Sequence, residues 1–166
     1  MDFQWDGNLL MLTQEFVRDR FTYHEDGTLS YNKNGKKVIA NPAKGAKHLS
    51  VNINRKPVRF HRIVFLWNHG YLPEYIDHIN GDATDNRIEN LRPASKHQNN
   101  LNKGKLSRNK SGCKNVSWSK VNKKWVVVMS VHRKYTHIGS FENLELADLV
   151  ATEARNLYHG QYARHS

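Results

Sequence analysis

The two longest uninterrupted apolar runs of the chain, Ile63–Trp67 and Trp125–Met129, are only five residues each. Between them lies a stretch, 102–112, rich in Asn, Lys, Gly and Ser, with Leu106 its only large apolar residue. Runs this short fill the middle of a single buried helix or strand. They confine the chain to small cores joined by a polar connection, and 166 residues suffice for one ordinary domain or two small ones. No run approaches the ~18–20 apolar residues of a membrane span. The start, Met1-Asp2-Phe3-Gln4-Trp5-Asp6, is acidic and holds a tryptophan, unlike a signal peptide. Neither a membrane nor a secreted protein is expected. A single cysteine, Cys113, supports no internal disulfide and no Cys-x-x-Cys zinc site, which fits a reducing, cytoplasmic setting.

The formal charge of +11 is unevenly spread. Counting Lys+Arg minus Asp+Glu, residues 1–50 give 7 − 6 = +1, residues 51–100 give 7 − 5 = +2, and residues 101–166 give 12 − 4 = +8. No acidic residue occurs between Glu89 and Glu142, a stretch that includes Lys103, Lys105, Arg108, Lys110, Lys114, Lys124, Arg133 and Lys134. A one-sign stretch of that length is an electrostatic footprint for a polyanion, and it lacks the basic amphipathic helix of a membrane-surface binder.

Local patterns divide the chain further. Thr13 is placed to cap a helix running to Arg20, and Asp26-Gly27 and Asn34-Gly35 are turn signals between short β-type runs. Leu49, Val51 and Ile53 alternate with polar residues as in a strand. The cluster from His61 to His69, closed by Gly70, reads as a buried helix after a strand at Pro57–Phe60. Tyr75 to Ile79 is strand-like, Asn80-Gly81-Asp82 is a turn, the segment from Asp85 to Leu91 is short and polar, and Ser95 caps a second helix. After the connection come three strand patterns, Asn115–Ser119, Trp125–Val131 and Tyr135–Phe141. A final helix from Leu144 to His159 puts Leu146, Leu149, Val150, Ala154 and Leu157 at helical spacing, a single apolar stripe for its own sheet to cover, which predicts a monomer. The C-terminal unit is thus expected to be βββα.

The segment 75–102 concentrates groups that make chemical sense together. Mg²⁺ (or Mn²⁺) takes one or two protein oxygens and completes its shell with water and phosphate, which Asp77 and the amide oxygen of Asn99 satisfy. His78 beside Asp77 is a candidate general base, and Asn90 can hold its imidazole by hydrogen bonding to the distal nitrogen. His61, His69 and His97 are expected to be packing or surface histidines, with phosphate contact the alternative for His61, just ahead of the apolar helix.

The run His61-Arg62-Ile63-Val64, Asp77-His78-Ile79-Asn80-Gly81-Asp82, Asp85-Asn86-Arg87-Ile88-Glu89-Asn90-Leu91-Arg92 and Asn99-Asn100 resembles the HNH endonucleases of the phage and intron-associated homing type, which carry a ββα-metal site. The resemblance spans roughly residues 20–102. It implies Asp77 and Asn99 as metal ligands, His78 as general base and Asn90 as the residue orienting it; Asn99 stands where the signature's third position is often histidine.

Residues 108–164 resemble the Apetala-two type DNA-binding domain, through Ser111-Gly112, Val116, Trp118, Lys124-Trp125, Ile138-Gly139-Ser140-Phe141 and His159-Gly160. That resemblance implies a three-stranded sheet laid in the major groove. With Trp125, Val127 and Met129 toward the helix, the other face offers Ser117, Ser119, Lys124, Ser130, Tyr135 and His137, and Arg133, Lys134 and the linker cations Lys103, Lys105, Arg108 and Lys110 add phosphate contacts.

The sequence therefore predicts an α+β protein: an HNH nuclease domain with an N-terminal strand and helix extension at 1–102, a basic linker at 103–111, and a DNA-binding domain at 112–166. The expected function is site-directed hydrolysis of double-stranded DNA with a divalent metal and a histidine base, of homing type and strand-nicking, in the host cytoplasm if phage-encoded. The alternative is a non-catalytic DNA-binding regulator with a vestigial nuclease module, which has no need to keep the set Asp77, His78, Asn90 and Asn99.

Overall fold

The computed structural model describes residues 12–42 and 45–165, so the expectation drawn from the chain's start lies outside the described residues. The chain divides into two compact units, one up to Pro93 and one from Ala94.

In the first unit, Thr13 caps helix α1 (Gln14–Arg20) as its sequence predicts, its side chain accepting from the Phe16 amide at 3.1 Å. Strands β1 (Phe21–Tyr23) and β2 (Leu29–Tyr31) pair antiparallel around a turn containing Gly27. Gly27 has φ 81°, and a Cβ there would lie 2.5 Å from the Arg87 amide nitrogen. Only glycine lets the hairpin tip approach this closely. A second sheet has the order β3 (Asn41–Pro42), β4 (Leu49–Ile53), β5 (Lys56–Arg59), all antiparallel. Val51 and Ile53 are buried as their alternation predicts, and Asn54 and Arg55, both at positive φ, form the two-residue turn into β5.

Strand β5 runs directly into α2 (Phe60–His69), the expected buried helix. Ile63 to Leu66 are nearly inaccessible, and Gly70, at φ 78°, terminates the helix by donating to the Leu66 carbonyl. Trp67 ties the layers together: its indole donates to the Phe21 carbonyl, and its own carbonyl accepts from Gln14 and Arg18. Strand β6 (Tyr75–His78) pairs with β7 (Leu91–Ala94). Strand β7 is not anticipated by the sequence, because the residues before it are polar and only Leu91 within it is buried. Its pairing with β6, not its composition, makes it a strand.

The second unit opens with α3 (Lys96–Leu101), where Ser95 and Gln98 form a full capping box. Residues 103–112 have no regular structure. Strands β8 (Val116–Ser119), β9 (Lys124–Val131) and β10 (Lys134–Phe141) form an antiparallel meander, followed by α4 (Leu144–His159), the expected βββα order. Val116, Val127 and Met129 pack against Ala147, Ala151 and Ala154.

Two expectations need correcting here. The face of α4 against the sheet is the alanine row with Arg155, whereas Leu146, Leu149 and Leu157 are exposed. Small side chains let the helix lie close to the sheet, so the larger leucines turn outward, and the stripe no longer argues for a monomer. Second, Lys114 is no part of an exposed basic surface. It is buried, its ammonium donating to the carbonyls of Leu101 (3.0 Å) and Arg164 (2.8 Å), and burial beside Arg155 and Arg164 lowers its pKa to about 8. The division of compact units falls at Pro93/Ala94, and Lys114 ties the end of α3 to the rest of the C-terminal unit.

Candidate active site

The loop 79–90 between β6 and β7 is built from short polar side chains, nearly all of them engaged. Asn80 Oδ1 accepts from the Asp82 amide (2.8 Å) and from Asn90 Nδ2 (3.0 Å), while Asn80 Nδ2 donates to Asp85 Oδ2 (2.8 Å). Asp82 Oδ1 accepts from both the amide and the hydroxyl of Thr84. Arg87 grips Asp85 through two bonds at 2.9 and 2.8 Å, which lowers the Asp85 pKa to about 2. Asn90 uses its whole amide: Oδ1 accepts from the Asn80 amide, and Nδ2 donates to Asn80 Oδ1 and the Asp85 carbonyl. The β1–β2 hairpin braces the far side, since the Tyr23 hydroxyl accepts from the Ile88 amide at 3.0 Å and Gly27 abuts the backbone of Asn86 and Arg87.

This loop delivers Asn86 to His78. The Asn86 amide nitrogen donates to the Thr84 carbonyl (3.0 Å), which turns Oδ1 toward His78 Nε2 at 3.2 Å. An amide oxygen only accepts, so Nε2 carries the proton and the lone pair of the neutral ring resides on Nδ1. The sequence assigns the orienting role to Asn90; the structure puts Asn86 against the imidazole and uses Asn90 to close the loop that carries Asn86. Asn86 lies inside the resembling run but has no role in it, and its one visible signal is its place between Thr84 and Arg87 in a turn-forming string.

Asp77 and His78 are both buried, at 3% and 5% exposure. Asp77 Oδ2 accepts two bonds from Arg92 on β7, at 2.9 and 2.6 Å. Arg92 closes one segment of the resembling run, and it reaches Asp77 through the pairing of β6 with β7.

His78 also meets two histidines. One imidazole nitrogen each from His48, His61 and His78 lie within 4.8 Å of one another, with ring centroids 5.0 to 5.4 Å apart. The Nδ1 atoms of His48 and His61 are buried without a hydrogen-bond partner, which costs roughly 1–3 kcal/mol for each. Burial and the neighbouring histidines push His61 down to about 3, and burial with His78 and Arg59 lowers His48. Both rings are therefore neutral at pH 7. His61 is thus not the plain packing histidine its sequence predicts, and a signal for the pair was present. Counting outward from the Asn54-Arg55 turn, through Ile53 opposite Lys56 and Ser50 opposite Arg59, the next position on the same face sets His48 opposite His61.

Asn99 stands at the fourth position of α3 in the C-terminal unit and is half-buried. In that unit the register puts Ser117, Ser119, Lys124, Ser130, Tyr135 and His137 on one face, opposite the alanine row, together with Val126, Val128 and Ser140. Tyr135 is 89% exposed, His137 is bonded to Ser140 Oγ (2.9 Å), and Lys124 lies 3.5 Å from Glu142. Arg133 sits in the β9–β10 turn at positive φ, and Lys134 opens β10. Lys103, Lys105, Arg108 and Lys110 are exposed, with Lys105 reaching the Gly112 carbonyl.

Residues 58–101 match the HNH endonuclease family, a span that runs from β5 through α3 and contains Asp77, His78, Asn86, Asn90 and Asn99. Nucleases of this class generally depend on a divalent metal. The chain is also 34% identical over 111 residues to Protein 3.8 of Escherichia phage T7, an alignment covering 66% of this chain and 91% of that protein. The chain belongs to the family of that phage protein and carries an HNH endonuclease domain. No solved structure matches it. Among the described residues no helix is long and apolar enough to cross a membrane.

Proposed function

We propose that the chain is a metal-dependent DNA endonuclease of homing type that nicks one strand per binding event, with His78 as its general base. The observation that carries the reading is the setting of His78 within the HNH-matching span: its Nε2 is fixed by Asn86 Oδ1, which leaves the basic lone pair on Nδ1. Nδ1 takes the proton from a water whose oxygen attacks phosphorus as the 3′ oxygen departs, a role that typically contributes ~10²–10⁴ in rate.

The donor chemistry fits a hard divalent ion. Asp77 is a buried carboxylate whose Oδ2 is held by Arg92, and a carboxylate accepts at both oxygens. Asp77 would hold Mg²⁺ or Mn²⁺, which completes its shell with water and substrate phosphate. Bound there, the ion supplies charge neutralisation at the scissile phosphate and the leaving oxygen. Arg92 keeps the Asp77 carboxylate in place, and Asn90 closes the loop that presents Asn86 to His78.

The C-terminal region, 112–166, is read as an Apetala-two-like reader of double-stranded DNA, reached through a basic linker at 103–111. Its outer sheet face, Ser117, Ser119, Lys124, Ser130, Tyr135 and His137, would enter the major groove, with Arg133 and Lys134 at the turn. One set of Asp77 and His78 holds one scissile phosphate, so a single binding event cuts one strand. Supercoiled plasmid containing the flanking DNA of the gene is the test. Nicked circles with Mg²⁺, none with EDTA, and a His78→Ala protein that binds but does not cut support the reading. Equal loss of binding and cutting makes His78 structural, and concerted linearisation removes the nicking assignment.

A further inference from the structure

The nuclease reading uses His78 but leaves His48 and His61 without a task. Those two residues flank the β4–β5 hairpin, His48 just before β4 and His61 in the first turn of α2, so one rigid piece of chain holds both. Arg59 adds a tie, reaching the His48 carbonyl at 3.4 Å. His61 meets the other two rings edge to face, at interplanar angles of 64° to His48 and 87° to His78, while His48 and His78 are tilted by 31°, and one nitrogen of each ring lies within 4.8 Å of the others. The buried Nδ1 atoms of His48 and His61 have no hydrogen-bond partner. Among the described residues no carboxylate joins the group.

A cluster of three imidazoles is the ligand set of a borderline transition metal and a poor one for Mg²⁺. Imidazole nitrogens on a tetrahedral ion bound at ~2.0–2.1 Å stand roughly 3.3 Å apart, so binding would draw together nitrogens that already lie within 4.8 Å of one another. We infer that His48, His61 and His78 form a second metal site, selective for Zn²⁺-type ions, whose occupation silences the nuclease. The ion and the attacking water compete for the same lone pair on His78, so loading the site takes the base out of service. A fourth position is left for solvent, as in three-histidine zinc sites.

The binding half of this inference stands on the histidine geometry; the silencing half rests on His78 being the general base. Full-length protein stripped with EDTA is titrated with Co²⁺, followed by the visible absorption of the tetrahedral ion, and with Zn²⁺, followed by calorimetry and by the rise in thermal midpoint. One ion per chain is expected. His48→Ala and His48→Gln should weaken it by more than the ~10–100-fold that loss of a residue merely orienting a ligand costs. His61→Gln should do the same, and because His61 is buried its circular dichroism is compared first, with the half-buried His48 variants deciding the matter should it misfold. Unchanged affinity in well-folded His48 variants overturns the site. Plasmid nicking in Mg²⁺ is then measured against added Zn²⁺. Inhibition of the wild type that the His48 variants resist supports silencing, whereas equal inhibition of both, or none, overturns it. A chain that binds Co²⁺ through these residues yet never cuts DNA would refute the nuclease reading and the silencing, and leave the metal site standing.

Discussion

The loop 79–90 and the outer face of the β8–β10 sheet are both polar, but they spend their polarity in opposite ways. In the loop almost every side-chain oxygen and amide is bonded within the protein, and the result is one imidazole held in one tautomer. On the sheet face the bonds are few and local, His137 to Ser140 and Lys124 to Glu142, and Tyr135 is almost wholly exposed. A group that must hold or move a proton at a fixed atom needs bracing from all sides. A surface that meets another polar molecule needs its donors unspent. The contrast separates substitutions that should stop chemistry from those that should only loosen binding.

The sharpest test of that separation is His78→Ala. Cutting should fall by ~10²–10⁴ while DNA affinity, supplied by phosphate contacts elsewhere, stays within about twofold in a gel shift. Tyr135→Ala should do the reverse, weakening binding while the rate at saturating protein is kept. A parallel loss of both quantities in each variant would erase the distinction.

Arg92→Leu probes how the braced region handles charge. It strands the Asp77 carboxylate, 4% exposed at its side chain, without its guanidinium, and removing one partner of a buried pair costs about 3–5 kcal/mol. Chemical denaturation should show that loss, and Arg92→Leu combined with Asp77→Asn should recover part of it. A single variant as stable as wild type would mean that Asp77 is held by other groups.

How much of this was legible differs between the regions for the same physical reason. Elements carried by local rules came through: the Thr13 cap, the apolar α2 closed by Gly70, the capped α3 and the βββα order. Asp77 and His78 stood out because their residue types are unusual in that spacing. What escaped depends on pairing between distant segments. Strand β7 exists because β6 is there to pair with it, and Arg92 reaches Asp77 only as a consequence. The role of Asn86 needs a loop closed by Asn90 and propped by Gly27, none of which periodicity encodes. On α4 the error was of size rather than period: the leucines and the alanines both sit at helical spacing, and close packing on the sheet selected the smaller set.

The histidine cluster gives the braced region a pH dependence of its own. His61 titrates near 3 in the folded chain against about 6.5 unfolded, so between those values the unfolded chain binds a proton that the folded one refuses. Stability is full above pH 6.5 and falls as the pH drops, by about 2 kcal/mol at pH 5 from His61 alone, with His48 acting in the same direction. Thermal midpoints of EDTA-treated protein from pH 7.5 to 5 should trace this decline, and His61→Gln should flatten it. A midpoint that does not move over that range would show the cluster to be solvated.

The smallest expected effect separates cations that face outward from one that folding has consumed. Lys134 opens β10 with its side chain exposed, and an exposed lysine that contacts a phosphate releases about one counterion. Lys134→Ala should therefore lower the slope of log affinity against log salt by about 0.9 and weaken binding modestly at low salt. Lys114 belongs to the same acid-free stretch of sequence, but its ammonium is bonded to the Leu101 and Arg164 carbonyls inside the C-terminal unit. Lys114→Ala leaves two carbonyls without their donor, so it should lower the thermal midpoint and leave the salt slope untouched. The two variants carry identical charge changes. A common change in slope would mean that DNA binding reads net charge alone, and different slopes would assign the contact to the exposed sheet edge.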